Sequence, residues 1–216
     1  MATDARARRP RRLIRAATIV ATVSAIGGPS LGASAASASL LPSCAAQPTS
    51  TAFARWGDSS NYFLMPGGGF EPGTPGWALA GPAAVAAGNE TFFANGTGGT
   101  HNLALPTGAQ TVSPTVCVAM GENTIRLFVK NSGVASSVLH VQAYVQNPLT
   151  GLVLSTGFDI QGTAAAKGWA PSNRLLIPNL LGGVLGTQRL TLVFTTRGAP
   201  ATWNIDDVFV DPFKSR

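Results

Sequence analysis

Hydrophobic and polar residues alternate along one ten-residue segment, Ser137 to Gln146. Its apolar members are Leu139, Val141, Ala143 and Val145, and the residues between them are His140, Gln142, Tyr144 and Gln146. Successive side chains of a β-strand point to opposite faces of the sheet. This period of two therefore predicts a strand with one face in the core and the four polar or aromatic side chains together on the other face.

Other segments show the same period or short apolar runs. From Thr124 to Lys130, one face would carry Ile125, Leu127 and Val129 and the other Arg126, Phe128 and Lys130. Arg189 to Thr196 also alternates, whereas Gly157 to Gly186 is irregular, with room for one short helix between Leu175 and Leu185. About ten short strands, turn signals between them and no long amphipathic helix predict an all-β, antiparallel sandwich.

The closing segment, Trp203 to Phe213, reads as a strand that contains carboxylates. Asp206, Asp207 and Asp211 lie among β-branched and aromatic residues that favour a pleated, half-buried surface. Strict alternation would place Ile205 and Val208 on opposite faces. Either both faces of this strand are covered, or the Asp206-Asp207 pair marks a β-bulge.

Residues 1–38 are predicted to be a secretory signal peptide. Six arginines precede an apolar, small-residue run that holds two A-x-A triplets, either of which could precede the cleavage site. Gly27, Gly28 and Pro29 interrupt the run, so no membrane span is expected in the mature chain. Sec export is favoured over the twin-arginine route, because Arg11-Arg12 is followed by a loose match to that signal.

The mature chain is then expected to have an N-terminal arm, 39–60, and a single β-sandwich domain, 61–216. Of the fifteen basic and nine acidic residues, six and one lie in the leader, and nine minus eight leaves a net charge of +1. The basic character of the whole chain thus belongs to the leader. A nucleic-acid partner is excluded, because it would need a basic patch that survives maturation.

Cys44 and Cys117 are the two cysteines of the chain. An even count in an exported protein favours a disulfide, which would tie the N-terminal arm to a strand. The residues before Cys44, Leu41-Pro42-Ser43, are a poor match to the alternative, a lipoprotein acylation site.

The chain lacks the sequence motifs of common catalytic sites. There is no G-x-S-x-G and no H-E-x-x-H, and the two histidines, His101 and His140, have no triad or metal-ligand spacing. The acids Glu71, Glu90, Glu122 and Asp159 show no spacing typical of a paired-carboxylate glycosidase. The sequence therefore favours a binding protein over an enzyme.

Two motifs resemble a known superfamily. The segments Pro66–Trp77, P-G-G-G-F-E-P-G-T-P-G-W, and Trp203–Phe213, W-N-I-D-D-V-F-V-D-P-F, resemble the first and last strands of galactose-binding-like jelly rolls, which include several carbohydrate-binding module families. The mature chain also resembles a family of uncharacterised secreted actinobacterial proteins. The resemblance implies a jelly-roll β-sandwich and leaves the ligand open.

This resemblance also implies a structural calcium ion where the first turn meets the last strand. Its ligands would be Glu71 and Asp206 or Asp207, with backbone oxygens around Gly69. Calcium takes six to eight hard oxygen ligands, of which two carboxylates and loop carbonyls supply part. The alternative is that these acids are surface or turn residues that bond to the backbone.

The predicted binding surface is the polar face of Ser137–Gln146. Its residues would be His140, Gln142, Tyr144 and Gln146, with Arg126 and Phe128 beside them. An aromatic ring flanked by hydrogen-bonding groups suits a polysaccharide or cell-wall glycan, although a solvated sheet face shows the same pattern. The alternative functions are a hydrolase or lyase on a jelly-roll scaffold and a structural or adhesive surface protein.

Overall fold

A computed structural model describes residues 44–71, 76–96, 98–119, 121–165, 168–179 and 186–211, all of which belong to one compact unit that begins at Ser39. The predicted signal peptide lies outside these residues. The strands are β1 (Phe63–Leu64), β2 (Ala78–Ala80), β3 (Ala84–Ala87), β4 (His101–Leu105), β5 (Gln110–Val112), β6 (Val116–Val118), β7 (Thr124–Asn131), β8 (Ser137–Gln146), β9 (Val153–Gln161), β10 (Ala170–Pro171), β11 (Leu175–Leu176), β12 (Gln188–Gly198) and β13 (Trp203–Asp211).

The described strands form two antiparallel sheets, which confirms the predicted all-β sandwich. The first sheet has the order β10-β7-β13-β4-β3, with β1 also paired to β13 and β11 to β7. The second has the order β2-β5-β12-β8-β9, with β6 also paired to β12. Two short 3₁₀ helices, Ala54–Trp56 and Gly162–Ala164, complete the described elements.

The main core lies between the two sheets. From β8 it takes Leu139, Val141, Ala143 and Val145, as the alternation predicts, and from the neighbouring β12 it takes Leu190, Leu192 and Phe194. The facing residues of the first sheet include Ile125, Leu127, Val129 and Ile205. Each large apolar side chain buried there contributes about 1.5–3 kcal/mol relative to exposure.

Strand β9 extends beyond the sequence prediction. It continues from Val153 to Gln161, through residues that the composition marked as irregular, because each of them pairs with β8 in an unbroken register from Gln146↔Val153 to Val138↔Gln161. The helix considered between Leu175 and Leu185 is a short strand at Leu175–Leu176, and most of that segment lies outside the described residues.

A second, smaller core covers the outer face of the first sheet. Phe53, from the N-terminal arm, packs against Tyr62, Phe128 and Phe209. The rings of Phe53 and Phe128 are stacked with centroids 5.3 Å apart, and the Arg126 guanidinium lies 4.0 Å from the centroid of the Phe53 ring. The arm therefore folds onto the sheet and buries both faces of β7 and β13.

Arg126 and Phe128 consequently do not lie beside the predicted binding face. Both are buried, and they belong to β7 in the sheet that does not contain β8. Alternation placed them correctly on the face opposite Ile125, Leu127 and Val129. Their assignment to a surface with Tyr144 is wrong, because the aromatic arm turns that face of β7 into a second core.

A buried ion-pair network anchors the arm. Asp58, 5% exposed, accepts hydrogen bonds from Arg126 Nη1 (2.8 Å), Arg174 Nε (3.0 Å) and Tyr62 Oη (2.7 Å). Burial by itself would raise the pKa of this carboxyl, but the bonds from Arg174, Tyr62 and Arg126 outweigh burial and hold its pKa well below the ordinary range.

The predicted disulfide is present between Cys44 and Cys117, a sequence separation of 73 residues. Cys117 belongs to β6 of the second sheet, so the bridge attaches the start of the described arm to that sheet. Phe53, farther along the arm, covers the outer face of the first sheet. In the chain-entropy model, a loop of this length stabilises the fold by about 4 kcal/mol.

We predict that the Cys44→Ser/Cys117→Ser protein is less stable than the oxidised wild type by about 4 kcal/mol in chemical denaturation. The intact mass of the non-reduced wild type should be lower than that of the reduced form by the mass of two hydrogen atoms. Two free thiols in exported protein, or equal stability of the two proteins, would contradict the bridge.

We predict that Asp58→Asn lowers the unfolding free energy at pH 7 by about 3 kcal/mol, because it leaves two arginines against a neutral group in a buried site. Since the folded-state pKa of Asp58 is depressed, its contribution is present in full above the unfolded value of about 4. It is lost as the pH falls below that value toward the folded pKa. Denaturation curves from pH 7 to pH 2 should therefore converge for the two proteins.

The matched control for Asp58→Asn is Asp159→Asn, because Asp159 is exposed and pairs with His140. An exposed pair is worth about 0–1 kcal/mol. Equal effects of the two substitutions would show that Asp58 does not anchor the arm.

Candidate functional site

The outer face of β8 is open to solvent over its C-terminal half. Tyr144 is 41% exposed and Gln146 is also exposed, whereas His140 and Gln142 are half-buried on the same face. Register places Tyr144 between Thr191 of β12 and Ser155 of β9, and Gln146 between Arg189 and Val153. The four predicted residues thus share one face, and their neighbours come from β12 and β9.

A groove of about 780 Å³ lies over this end of the sheet. Its floor and walls include Tyr144, Gln146, Arg189, Thr191 and Thr115, and the β8–β9 turn adds Pro148 and Leu149. The sequence does not mark Arg189, Thr191 and Thr115 as residues of this site. Only the register of β12 and β6 brings them beside β8, although Arg189 stands at the start of a strand that the sequence did predict.

His140 and Gln142 take part in a separate hydrogen-bonded row. His140 Nδ1 lies 2.7 Å from Asp159 Oδ1, and His140 Nε2 lies 3.3 Å from Gln142 Oε1. The His140 ring leans over Gly157, where an added Cβ would come within 2.8 Å of it. These two residues therefore share the face of Tyr144 but do not line the groove.

This row also bears on catalysis. A histidine held by an aspartate is the orienting half of a nucleophilic triad. In the described part of the chain, however, the second ring nitrogen of His140 faces the Gln142 amide and contacts no serine or cysteine side chain. The pair is therefore better explained as a structural element of the sheet face than as a general base.

A second cluster of interest is the β-bulge of β13. The register with β7 shifts between Asp206 and Phe209, and Asp207 has φ of 45°, in the left-handed region. The predicted bulge is thus confirmed, and both faces of the strand are covered as well. A bulge turns two consecutive side chains in directions that a regular strand would not allow.

The glycine-rich first turn packs directly on this bulge. Val208 N donates to Gly68 O (3.0 Å), and Met65 N donates to Val208 O (2.9 Å). A Cβ on Gly68 would stand 3.0 Å from the Met65 and Val208 carbonyl oxygens, and one on Gly69 would stand 3.1 Å from Asp207 Oδ1. A side chain at either position would therefore have to displace its neighbours, which favours glycine at both.

The carboxylates at the bulge are buried. Asp206 accepts hydrogen bonds from Glu90 N (2.9 Å) and from Asp207 N (2.9 Å), and Asp207 Oδ1 accepts one from Asn95 Nδ2 (2.8 Å). Burial raises the pKa of Asp206 and of Asp207. The nearby carboxylates of Asp207 and Glu90 raise the pKa of Asp206 further, and those of Glu90 and Glu71 raise the pKa of Asp207 further. This cluster therefore favours either protons or a cation.

Glu90 is a buried member of this cluster that the sequence analysis did not assign to it. Its carboxylate accepts hydrogen bonds from the backbone of Phe92 and Ala94, the latter at 2.7 Å. Glu71, which the resemblance assigned to the ion, instead bonds Thr100 Oγ1 (3.0 Å) and His101 Nδ1 (2.9 Å). The structure thus places Gly69 beside Asp207 and directs Glu71 toward the start of β4.

One oxygen atom, Asp207 Oδ2, indicates that these residues could bind a calcium ion. Asp207 Oδ2 is buried, and no donor among the described residues reaches it. A buried carboxylate oxygen without a hydrogen bond is costly unless a cation or a proton satisfies it. In the described ranges, no three His, Cys, Asp or Glu side chains converge as a metal site, so an ion here would also need backbone oxygens.

The architecture has known counterparts. The chain is similar to the carbohydrate-binding module TmCBM61, solved in complex with β-1,4-galactotriose, at 14% identity and a TM-score of 0.40 over 68% of this chain and 92% of that chain. It is also similar to the CBM22-1 xylan-binding domain of Paenibacillus barcinonensis Xyn10C, at 16% identity and a TM-score of 0.41 over 68% and 92% of the two chains.

A third similar structure is the arabinose-bound α-L-arabinofuranosidase MgGH51, at 18% identity and a TM-score of 0.45 over 71% of this chain and 27% of that enzyme. The chain thus spans about a quarter of that enzyme's length. No protein-family model and no curated protein matches the chain. Carbohydrate-binding modules are thus among the solved structures to which the chain is similar, at TM-scores below 0.5, and the relation to secreted actinobacterial proteins stays a prediction.

Proposed function

We propose that this protein is a secreted, non-catalytic module that binds a polysaccharide in the groove beside Tyr144. The observation that carries the proposal is the exposed Tyr144 ring on a rigid sheet face, with hydrogen-bonding side chains on both sides. A sugar ring presents apolar C–H faces and a rim of hydroxyl groups. The Tyr144 ring would pack against an apolar face of the sugar, and its hydroxyl groups would form hydrogen bonds with Gln146, Arg189 and Thr191.

The groove has the dimensions of a ligand site. Its volume of about 780 Å³ lies in the usual range for such sites, roughly 300–1,000 Å³. The mixture of one aromatic ring, an amide, a guanidinium and hydroxyls is more polar than a site for an apolar ligand.

The binding residues are held by regular secondary structure. β8 is paired along its whole length with β12 and with β9, and the hydroxyls of Thr115 and Thr191 are bonded to each other at 2.8 Å. A backbone that is already fixed in a sheet loses little conformational freedom on binding. This pre-organisation favours recognition of a repeating polymer whose individual contacts are weak.

Export is part of the proposal. The A-x-A leader of residues 1–38 supports Sec secretion, and the Cys44–Cys117 bridge is typical of an oxidising compartment. Among the described residues, no helix is long and apolar enough to cross a membrane. The leader and the disulfide bridge support an extracellular polysaccharide or cell-wall glycan as the partner.

One observation favours the adhesive alternative. Leu149, Leu152 and Val153 are exposed next to the groove, at the β8–β9 turn. A cluster of exposed apolar side chains is typical of protein contacts. If they form a protein interface, substitution of Leu152, which does not line the groove, would affect assembly and leave polysaccharide binding unchanged.

We predict that Tyr144→Ala weakens binding to an insoluble polysaccharide about ten-fold, because apolar contact with one ring contributes on the order of 1–2 kcal/mol. Tyr144→Phe, which retains the ring, should bind within about two-fold of the wild type. Both variants should keep the wild-type melting temperature, since Tyr144 is outside the core. The measurement is a depletion isotherm on a panel of insoluble polysaccharides.

Leu176→Ala is the matched control, because Leu176 is an exposed apolar side chain on the other sheet. It should bind as the wild type does. If none of the polysaccharides retains the wild type, or if Leu176→Ala and Tyr144→Ala lose the same affinity, the groove is not the binding site.

We further propose that a calcium ion binds at the β13 bulge. Asp207 would be its principal ligand, with the Asp206 carboxylate and the backbone oxygens near Gly69 completing the site. The free Oδ2 of Asp207 and the accumulation of buried carboxylates support this site. The bound ion would supply the positive charge that these groups otherwise lack.

For this site we predict that chelation lowers the melting temperature of the wild type by roughly 5–10 °C, since a ligand at 100 times its Kd stabilises the folded state by about 2.7 kcal/mol. Asp207→Asn should not respond to chelation. Asparagine is the appropriate replacement because it fits the left-handed backbone of Asp207.

The melting temperature of Asp207→Asn should change in opposite directions depending on whether calcium binds. If calcium binds, Asp207→Asn should melt below the calcium-loaded wild type. If no ion binds, removal of a buried negative charge next to Glu90 and Asp206 should raise the melting temperature. Added calcium that leaves the chelated wild type unchanged would reject the site.

A further inference from the structure

The N-terminal arm and the β3–β4 loop together form a second pocket, on the side of the sandwich covered by the arm. This arm pocket has a volume of about 360 Å³. Its lining residues are Ser50, Thr51, Arg55, Trp56, Phe92 and Phe93, with two alanines. It shares no residue with the groove beside Tyr144, which lies on the other sheet.

Arg55 is the charged group of the arm pocket. Its guanidinium carbon lies 5.7 Å from the ring centroid of Trp56 and 5.7 Å from that of Phe92. Arg55 is exposed, and none of the carboxylates in the described chain forms an ion pair with it. Two aromatic contacts hold the guanidinium in place and leave its N–H groups available to an anion.

Phe93 is the second unusual residue of the arm pocket. Its side chain is 55% exposed, although it is large and apolar, and its φ of 53° lies in the left-handed region. A non-glycine residue with this backbone conformation is strained by about 1 kcal/mol or more. Glycine would remove the strain and the exposed ring together, so neither packing nor backbone geometry accounts for a phenylalanine here.

The conformation that exposes Phe93 is held firmly by its neighbours. The buried Glu90 accepts hydrogen bonds from the backbone N–H groups of Phe92 and Ala94, on both sides of Phe93. Phe93 O accepts a bond from Gly96 N at 3.0 Å, which closes the turn. On the other wall, Trp56 is fixed by contacts with Phe92 and Phe128. The pocket is therefore pre-formed.

We propose that the arm pocket binds an acidic sugar, of the class of the uronic acids. The carboxylate of the sugar would pair with Arg55, an apolar face of its ring would stack on Phe93, and its hydroxyls would meet Ser50 and Thr51 at the rim. A pocket of this size holds one or two sugar rings. This site is independent of the proposed function and would make the module bivalent for polymers that contain both kinds of unit.

The experiment compares α-1,4-linked trigalacturonic acid with uncharged α-1,4-linked galactotriose, which differ in the carboxylate at C6. Binding is measured by calorimetry and by the fluorescence of Trp56, compared with a Trp56→Phe protein. The wild type should bind the acidic trimer at least ten-fold more tightly than the neutral trimer. Because an exposed charge pair is screened, the affinity should fall as salt is added.

Two variants test the two walls of the arm pocket. Arg55→Gln should abolish the preference for the acidic trimer. Phe93→Gly should weaken binding about ten-fold while the melting temperature stays the same or rises, a combination that a purely structural phenylalanine would not show. Arg197→Gln, which removes an exposed arginine from β12, and Tyr144→Ala, which alters the groove, should both bind the acidic trimer as the wild type does.

Several results would overturn the arm pocket. They are the absence of binding to the acidic trimer, equal affinity for both trimers, and binding that is lost in Tyr144→Ala but retained in Arg55→Gln. The last result would place the acidic sugar in the Tyr144 groove and leave the proposed function intact. Arg55-dependent binding of an acidic peptide, without binding of the sugar, would also reject a saccharide ligand.

Discussion

The burial of β13 on both of its faces is the constraint on which the rest of the structure depends. Its inner side chains pack between the sheets, and the outer side chain of Phe209 needs a cover of its own. Phe53 from the N-terminal arm supplies that cover, and the Asp58 network and the Cys44–Cys117 bridge hold the arm in place. Without the arm, an aromatic sheet face would be open to water.

This constraint makes the two sides of the sandwich unequal. The arm closes the outer face of one sheet, whereas the outer face of the sheet that contains β8 stays accessible. The open face offers a long, regular surface with Tyr144 at its exposed end, which suits a polymer. The closed face offers a smaller pocket, built where the arm meets the β3–β4 loop, which suits a single charged unit.

The β13 bulge connects these features physically. The glycine-rich turn packs closely against it, Asn95 bonds Asp207, and Glu90 both donates its backbone N–H to Asp206 and shapes the loop that exposes Phe93. Charged groups are buried in this region at a considerable free-energy cost. These groups position the glycine-rich first turn and the β3–β4 loop, which lies next to the arm.

The sequence by itself determined the features that depend on neighbouring residues. The alternation in Ser137–Gln146 specifies which side chains enter the core, the Asp206-Asp207 pair signals a bulge, and two cysteines in a chain with a predicted leader indicate a bridge. The tertiary structure decided whatever depends on distant residues. Arg189 reaches Gln146 only through the register of β12 with β8, and Phe128 became core only because Phe53 covers it. Three further features were not predicted for the same reason: the full length of β9, the place of Glu90 at the bulge, and the contact of Arg55 with Phe92. Strand pairing and packing between remote segments leave no local pattern in the chain.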